Sequence, residues 1–161
     1  DEGPAAKSMG HLHTLSHDAR DLGVIRAVLL DLAEKVGRRL RADGAAGRTV
    51  TLTIRVHDFT TVSRARTFDR FLDDGYDIYQ AGCSILERMA LSQPVRMVGI
   101  SVSGLSRAMR QQWWLPEVTR RSRRVASCDR LNDRFGEGTG VPATLLEEPE
   151  ARRHYQLKRY L

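Results

Sequence analysis

Four arginines, Arg48, Arg55, Arg64 and Arg66, are interleaved with Thr49, Thr51, Thr53, Ser63 and Thr67 in a stretch that holds a single acid, Asp58. Hydroxyls and guanidinium forks donate hydrogen bonds and the charge attracts a polyanion, so the chemistry open to this stretch is the binding of phosphate oxygens. His11, His13 and His17 in HLHTLSH invite a different chemistry. His11 and His13 would share a strand face, and zinc takes neutral imidazole nitrogens. No cysteine lies near them, however, and the nearest carboxylate, Asp18, belongs to an expected helix cap. That leaves a fourth ligand and its supporting contacts unaccounted for, and exposed or hydrogen-bonded histidines are the simpler reading. Phosphoryl transfer would need carboxylates converging on magnesium. Asp69, Asp73, Asp74 and Asp77 do crowd one segment, but at a loop and helix start such a run reads as a solvated cap.

Phosphate-binding side chains need a rigid platform. In residues 48–68, RTVTLTIRVHDFTTVSRARTF, Val50, Leu52, Ile54 and Val56 fall on one face of an extended strand and Thr49, Thr51, Thr53 and Arg55 on the other. A polar turn around Asp58 leads into residues 60–68, rich in β-branched residues and free of proline, which predicts a β-hairpin. Residues 7–15, KSMGHLHTL, form a weakly alternating strand in which Gly10 allows close backbone approach. Ser16, Asp18 and Asp21 are capping types ahead of Val24, Ile25, Val28, Leu29, Leu32, Val36 and Leu40 at helical spacing. Asp43, Gly44 and Gly47 end that helix. Ile78, Ala81, Ile85, Leu86 and Met89 mark a second amphipathic helix, capped by Asp74 or Asp77, with Pro94 closing the segment. Val98, Ile100 and Val102 alternate as a last strand. The order β-α-β-β-α-β predicts an α+β sandwich: a four-stranded, mainly antiparallel sheet with two helices on one face. The other face is free for a partner, and the hairpin arginines are expected to lie on it.

The chain of 161 residues has room for one domain with a real core and an extension, and its net charge is +6. Residues 1–103 carry 14 Lys/Arg against 13 Asp/Glu, and residues 104–161 carry 12 against 7. The excess therefore resides in the tail, and the hairpin must act through the placement of its arginines. No apolar run is long enough to span a bilayer, and DEGPAAK lacks the basic-then-apolar pattern of a signal peptide. Residues 1–6 read as a linker. Cys83 and Cys128 lack metal-ligand spacing, which predicts a cytoplasmic protein with reduced, buried thiols.

In residues 106–161 a partly helical extension is expected. Residues 119–135 put Val125, Cys128, Leu131, Asn132 and Phe135 on one side of a helix that Gly136 and Gly138 stop. RRSRR at residues 120–124 is a basic stripe or the wet side of that helix. Trp113 and Trp114 beside Pro116 are a partner-binding anchor or pack back on the domain. Residues 147–150 read as an acidic linker.

KSMGHLHTL at 7–15, EKVGRRLRADGAAGRTVTLTIRVHDFTTVSRARTF at 34–68 and VRMVGISVSGL at 95–105 together resemble the little-finger domain of the Y-family translesion DNA polymerases of the DNA polymerase IV type. The resemblance implies the same β-α-β-β-α-β order, with the sheet in the DNA major groove and with amides and basic side chains on phosphates at both sides of the primer-template. Lys7, Ser8 and Gly10 match the family's first phosphate-contacting strand, and Ser63, Arg64, Arg66 and Thr67 match its SRxRT segment. Thr51 and Arg55 are carried over from positions where the family varies. Leu12 stands where many members have glutamate. The resemblance further implies palm, fingers and thumb domains upstream, magnesium held by palm carboxylates, and no cofactor or polymerisation in this fragment alone.

DRLNDRFGEGTG at 129–140 resembles the segment that follows the sliding-clamp-binding peptide in some members. In QQWWLPEV, Gln112 and Leu115 keep the spacing of that peptide and Trp113 stands for its first leucine. Pro116 replaces the phenylalanine that should plug the clamp pocket, which predicts weakened clamp binding. The sequence thus reads as a C-terminal DNA-gripping fragment of an error-prone translesion polymerase that holds backbone rather than reading bases, organised as residues 1–6, 7–105 and 106–161. The alternatives are a free-standing adaptor that binds a partner through Trp113 and Trp114, and a histidine-dependent metalloenzyme.

Overall fold

The computed structural model describes residues 7–107, 116–137 and 139–140. Its elements run β1 (Ser8–Ala19), α1 (Leu22–Ala42), β2 (Gly47–Val56), β3 (Thr61–Leu72), α2 (Gly75–Leu86), β4 (Val95–Ser103) and α3 (Pro116–Phe135). The four strands form one sheet in the order β1-β4-β2-β3, and every neighbouring pair is antiparallel. The predicted α+β sandwich, with both helices on one face, is the observed fold: α1 lies over β1 and β4, and α2 over β2 and β3.

Period-two alternation builds the inner layer. Val50, Leu52 and Ile54 are fully buried on β2, as are Val98 and Val102 on β4. Leu29, Val36 and Leu40 of α1 and Ile78 of α2 meet them in one core cluster. Truncating one such residue to alanine costs about 2–5 kcal/mol. The starts of α1 and α2 are each fixed by an aspartate. The Asp21 carboxylate accepts from the Gly23 amide at 2.7 Å, and the Asp74 carboxylate accepts from the Tyr76 amide at 2.7 Å, which selects Asp74 over Asp77 as the second cap. Gly44, at φ 64°, ends α1 in the left-handed region. The two helices cross so closely that a Cβ on Gly37 would stand 2.6 Å from the backbone nitrogen of Gly75.

Several boundaries differ from the sequence expectation, β3 among them, which runs on past Phe68 to Leu72 and takes Asp69 into the strand. β1 continues past Leu15 to Ala19, because four residues of β1, 15–18, bulge opposite the single Arg96 of β4: Thr14 faces Met97 while Ala19 faces Val95. Ser16 and Asp18 therefore belong to the strand and Asp21 alone caps the helix. The second helix stops at Leu86, before Met89, because the Arg88 and Met89 amides turn back to the carbonyls of Ile85 and Leu86 in tighter, 3₁₀-like bonds. The third helix begins at Pro116 instead of Thr119, which suits a residue with no amide hydrogen to leave unpaired at the first helical position.

Ion pairs hold α3 on α1. Arg41 forks onto Asp129, with Nε 2.7 Å from Oδ2 and Nη2 2.9 Å from Oδ1, and Arg38 reaches Asp133 at 2.6 Å. Among the described residues, none of α3 belongs to the core cluster. Beyond the helix, Asn132 holds the Gly140 backbone by two hydrogen bonds, from its side-chain amide to the carbonyl and from the Gly140 amide to its oxygen.

Candidate nucleic-acid interface

Residues opposite one another in an antiparallel ladder share a face. Thr49, Thr51, Thr53 and Arg55 of β2 lie opposite Thr67, Ala65, Ser63 and Thr61 of β3, and opposite Ser103, Ser101, Gly99 and Met97 of β4. Through β4, the same face takes in Ser8, Gly10, Leu12 and Thr14 of β1. Among the described residues, this is the face without helices. It is a field of small and hydroxyl-bearing side chains, stiffened by hydroxyl pairs: Thr49 with Thr67 and Thr53 with Ser63, both at 2.9 Å. Arg55 also lies on it, with Nε donating to Thr61 Oγ1 at 2.9 Å.

Arg64 and Arg66 do not lie there. They stand opposite Leu52 and Val50, whose side chains point into the core, so both arginines project on the helix-bearing side of the edge strand β3. Both are exposed. Arg66 reaches Ser84 of α2 at 3.3 Å and its guanidinium lies 5.0 Å from the Phe68 ring centre, while Arg64 donates to the carbonyl of its neighbour Ser63. Among the described residues neither has a carboxylate partner. The expectation of hairpin arginines on the open face thus holds for Arg55 and fails for this pair, because period two sends Ser63 and Thr67 one way and Arg64 and Arg66 the other.

The opposite edge is β1, with Lys7 and Ser8 exposed at its start. Gly10 meets Ser101 so closely that a Cβ would lie 2.7 Å from the Ser101 Cβ. Arg39, from the last turn of α1, donates to the Gly10 carbonyl at 3.4 Å. Arg39 was not among the residues singled out from sequence, since it sits on a helix and reaches β1 only through packing.

The strand-side histidines serve other ends. His11 and His13 stand opposite Ile100 and Val98, on the helix side of β1. Burial, reinforced by the charges of Arg39 and Lys35, holds the His11 imidazole below its ordinary value. His17 is beside Ser16 at 3.2 Å. Among the described residues no three His, Cys, Asp or Glu side chains converge as metal ligands would. The acidic run offers no magnesium site either: Asp74 caps α2, Asp77 pairs with Arg70 at 3.5 Å, and Asp73 is buried with its carbonyl held by Arg41.

The end of the sheet is fixed by a charged cluster that the sequence did not announce. Asp18 accepts from Arg96 at 3.1 and 3.2 Å and from His57 Nδ1, tying β1 to β4 and to the end of β2. The hydrogen bond from Arg96, then that with His57, holds the Asp18 carboxyl below its ordinary value. At the hairpin tip Asp58 accepts from the Thr60 amide and from Gln93, while Phe59, at φ 67°, lies 4.4 Å under the Arg96 guanidinium. Cys83 and Cys128 are free thiols, both half-buried. No helix among the described residues is long and apolar enough to cross a membrane. Gln112, Trp113, Trp114 and Leu115, and the acidic run at 147–150, lie outside the described residues, as do the side chains of residues 120–122.

A family model described as the impB/mucB/samB family C-terminal domain matches residues 6–113. The chain belongs to that family. A DNA polymerase IV of Pelotomaculum thermopropionicum is 41% identical over 142 residues, 87% of this chain and 35% of that protein. One of Moorella thermoacetica is 41% identical over 133 residues, 81% of this chain and 33% of its own. This impB/mucB/samB domain thus spans about a third of the length of the curated relatives it matches, and the little-finger resemblance of its three sequence blocks is borne out. Its fold is also that of solved Y-family polymerases. A post-insertion binary complex of Dbh DNA polymerase matches with a TM-score of 0.53 at 17% identity, over 63% of this chain and 30% of that one. DinB from Sulfolobus solfataricus matches with a TM-score of 0.52 at 17% identity, over 60% and 28%.

Proposed function

We propose that this domain grips duplex DNA through its phosphate backbone, as the C-terminal part of a translesion polymerase of the DNA polymerase IV type. The observation that carries the reading is the open face, small and hydroxyl-bearing, with cations at both sheet edges. Four strands at their usual spacing span about 14 Å, close to the roughly 12 Å width of the major groove. A sheet of that width entering the groove would bring Lys7, Arg39 and the Ser8 and Gly10 edge toward one phosphate strand. Arg64 and Arg66, curling round β3, would meet the other, with Ser63 and Thr67 beside them. Thr51 and Arg55 then lie over the groove between. Serine and threonine hydroxyls bond to any base edge, so the grip is largely sequence-independent and draws its affinity from counterion release.

In this reading residues 1–6 link the domain to upstream palm, fingers and thumb domains, and residues 106–161 form the tail. The palm would hold magnesium and supply the chemistry, in the cytoplasm and during synthesis past DNA damage. Among the described residues, Asp73 is buried, Asp74 caps α2 and Asp77 pairs with Arg70, so this run does not fit that metal. A tethered grip raises the effective concentration of the palm on DNA. Clamp binding through Gln112, Trp113 and Leu115 is part of the proposal, in a weakened form. No observation favours an adaptor acting through Trp113 and Trp114.

The test is binding of this chain to fluorescent duplexes that permute one base composition, over a salt series. Near-equal affinities are expected, with a log–log salt slope of about −3 to −4 for about four phosphates neutralised. No binding at low salt would overturn the reading.

A further inference from the structure

Among the described residues Leu12 is the one large apolar side chain that stands exposed on the open face, at 67% of its surface. A lone exposed leucine on an ordinary surface needs no explanation. Its surroundings are what give this one meaning. Across the ladder it faces Gly99, which in turn faces Thr53. A Cβ on Gly99 would lie 3.3 Å from the Leu12 Cβ, so the bare glycine leaves open the ground toward the middle of the sheet. Ser101 lies to one side. Met97, the other sizeable apolar residue of this face, is buried.

Hydroxyls do not distinguish one base edge from another, whereas the single apolar feature that the major groove displays is the C5-methyl of thymine. We propose that Leu12 contacts thymine methyl groups, giving an otherwise sequence-blind face a preference for thymine-bearing duplex. The inference rests on the open face being the one that enters the groove. Leu12 adds to that grip a dependence on base content which the phosphate contacts cannot supply. The preference tracks the number of methyl groups within reach of one side chain, so it is a bias in composition and not the reading of a defined site.

The experiment compares two duplexes identical except that deoxyuridine replaces every thymidine, which removes the methyl groups and keeps the pairing. The wild-type chain is expected to bind the thymidine duplex about fourfold more tightly, the worth of roughly one buried methyl-sized group. Leu12→Ala and Leu12→Ser, at an exposed strand position and with thermal unfolding checked against wild type, should bind both duplexes alike and match wild type on the deoxyuridine duplex. Equal binding of both duplexes by the wild-type chain would overturn the inference and leave the DNA grip standing. A preference that persists in both variants would overturn it too, tracing the effect to DNA shape. Failure to bind either duplex would instead remove the grip on which it rests.

Discussion

Arg64 stands opposite Leu52 across the β2–β3 ladder, and since Leu52 is buried beneath the helices, the Arg64 guanidinium lies on the helix side of the sheet edge. Ser63, one residue earlier, bonds to Thr53 on the open side. Over residues 63–67 β3 thus divides its labour by parity, with hydroxyls to the face and cations to the rim. In a groove, that division puts hydrogen-bonding groups over the bases and charge over the phosphates.

Gly37→Ala should destabilise the domain, although alanine is favoured over glycine in a helix interior by about 1 kcal/mol. The new Cβ would stand 2.6 Å from the Gly75 nitrogen and 2.9 Å from its Cα, both backbone atoms that cannot turn aside. Denaturant unfolding should show a net loss of about 1–3 kcal/mol, the usual range for overpacking. A gain in stability would mean that α1 and α2 do not cross as closely as described.

Asp129→Ala should loosen α3, which Arg38 still ties through Asp133, while leaving the core intact. The two bonds from Arg41 are removed, and among the described residues α3 contributes nothing to the core cluster. Amide exchange should quicken across residues 116–135 and stay slow in the strands. Arg41→Ala should cost more, since Arg41 also donates to the Asp73 carbonyl at 2.7 Å. A double-mutant cycle should give a coupling of about 1–2 kcal/mol. Uniform loss of protection would instead make α3 part of the cooperative unit.

Stability should fall in acid, and the sign follows from three groups. The Asp18 carboxyl is held below its ordinary 3.8 by the hydrogen bonds from Arg96 and His57, and Asp58 by those from Thr60 and Gln93. Protons therefore bind the unfolded chain more readily, so these contributions are present above pH 3.8 and vanish as the pH falls through the depressed folded values. His11, held below 6.5 chiefly by burial, acts in the same direction, and the decline should begin below pH 6.5. Urea midpoints between pH 2 and 7 should trace this slope, and Asp18→Asn should flatten its acid end. An unchanged acid end in that variant would mean that Asp18 contributes nothing to it.

The fold was legible wherever one side of an element was buried. Val50, Leu52, Ile54 and Val56 mark β2, and the spacing of Ile25, Val28, Leu29, Leu32 and Val36 marks α1, because burial demands those periods. β3 is an edge strand, exposed on both sides over residues 63–67, so no apolar alternation disclosed which of its residues faced the helices. That is why Arg64 and Arg66 were expected on the open face. The extent of β1 was hidden for another reason. Ser16 and Asp18 are as suited to a helix cap as to a bulged strand, and only the long-range pairing of Asp18 with Arg96 and His57 decides between them. Arg39 escaped notice because its relation to Gly10 exists only in three dimensions.

The proposed grip depends on Arg64 and Arg66 as phosphate ligands, and the salt dependence of duplex binding addresses it most directly. With Arg64→Ala and Arg66→Ala combined, measured by fluorescence anisotropy across a salt series, affinity should drop about equally for every sequence and the log–log slope should shrink by about 2, one for each phosphate no longer neutralised. A slope identical to that of the wild-type chain would contradict the assignment of the β3 rim to the DNA backbone.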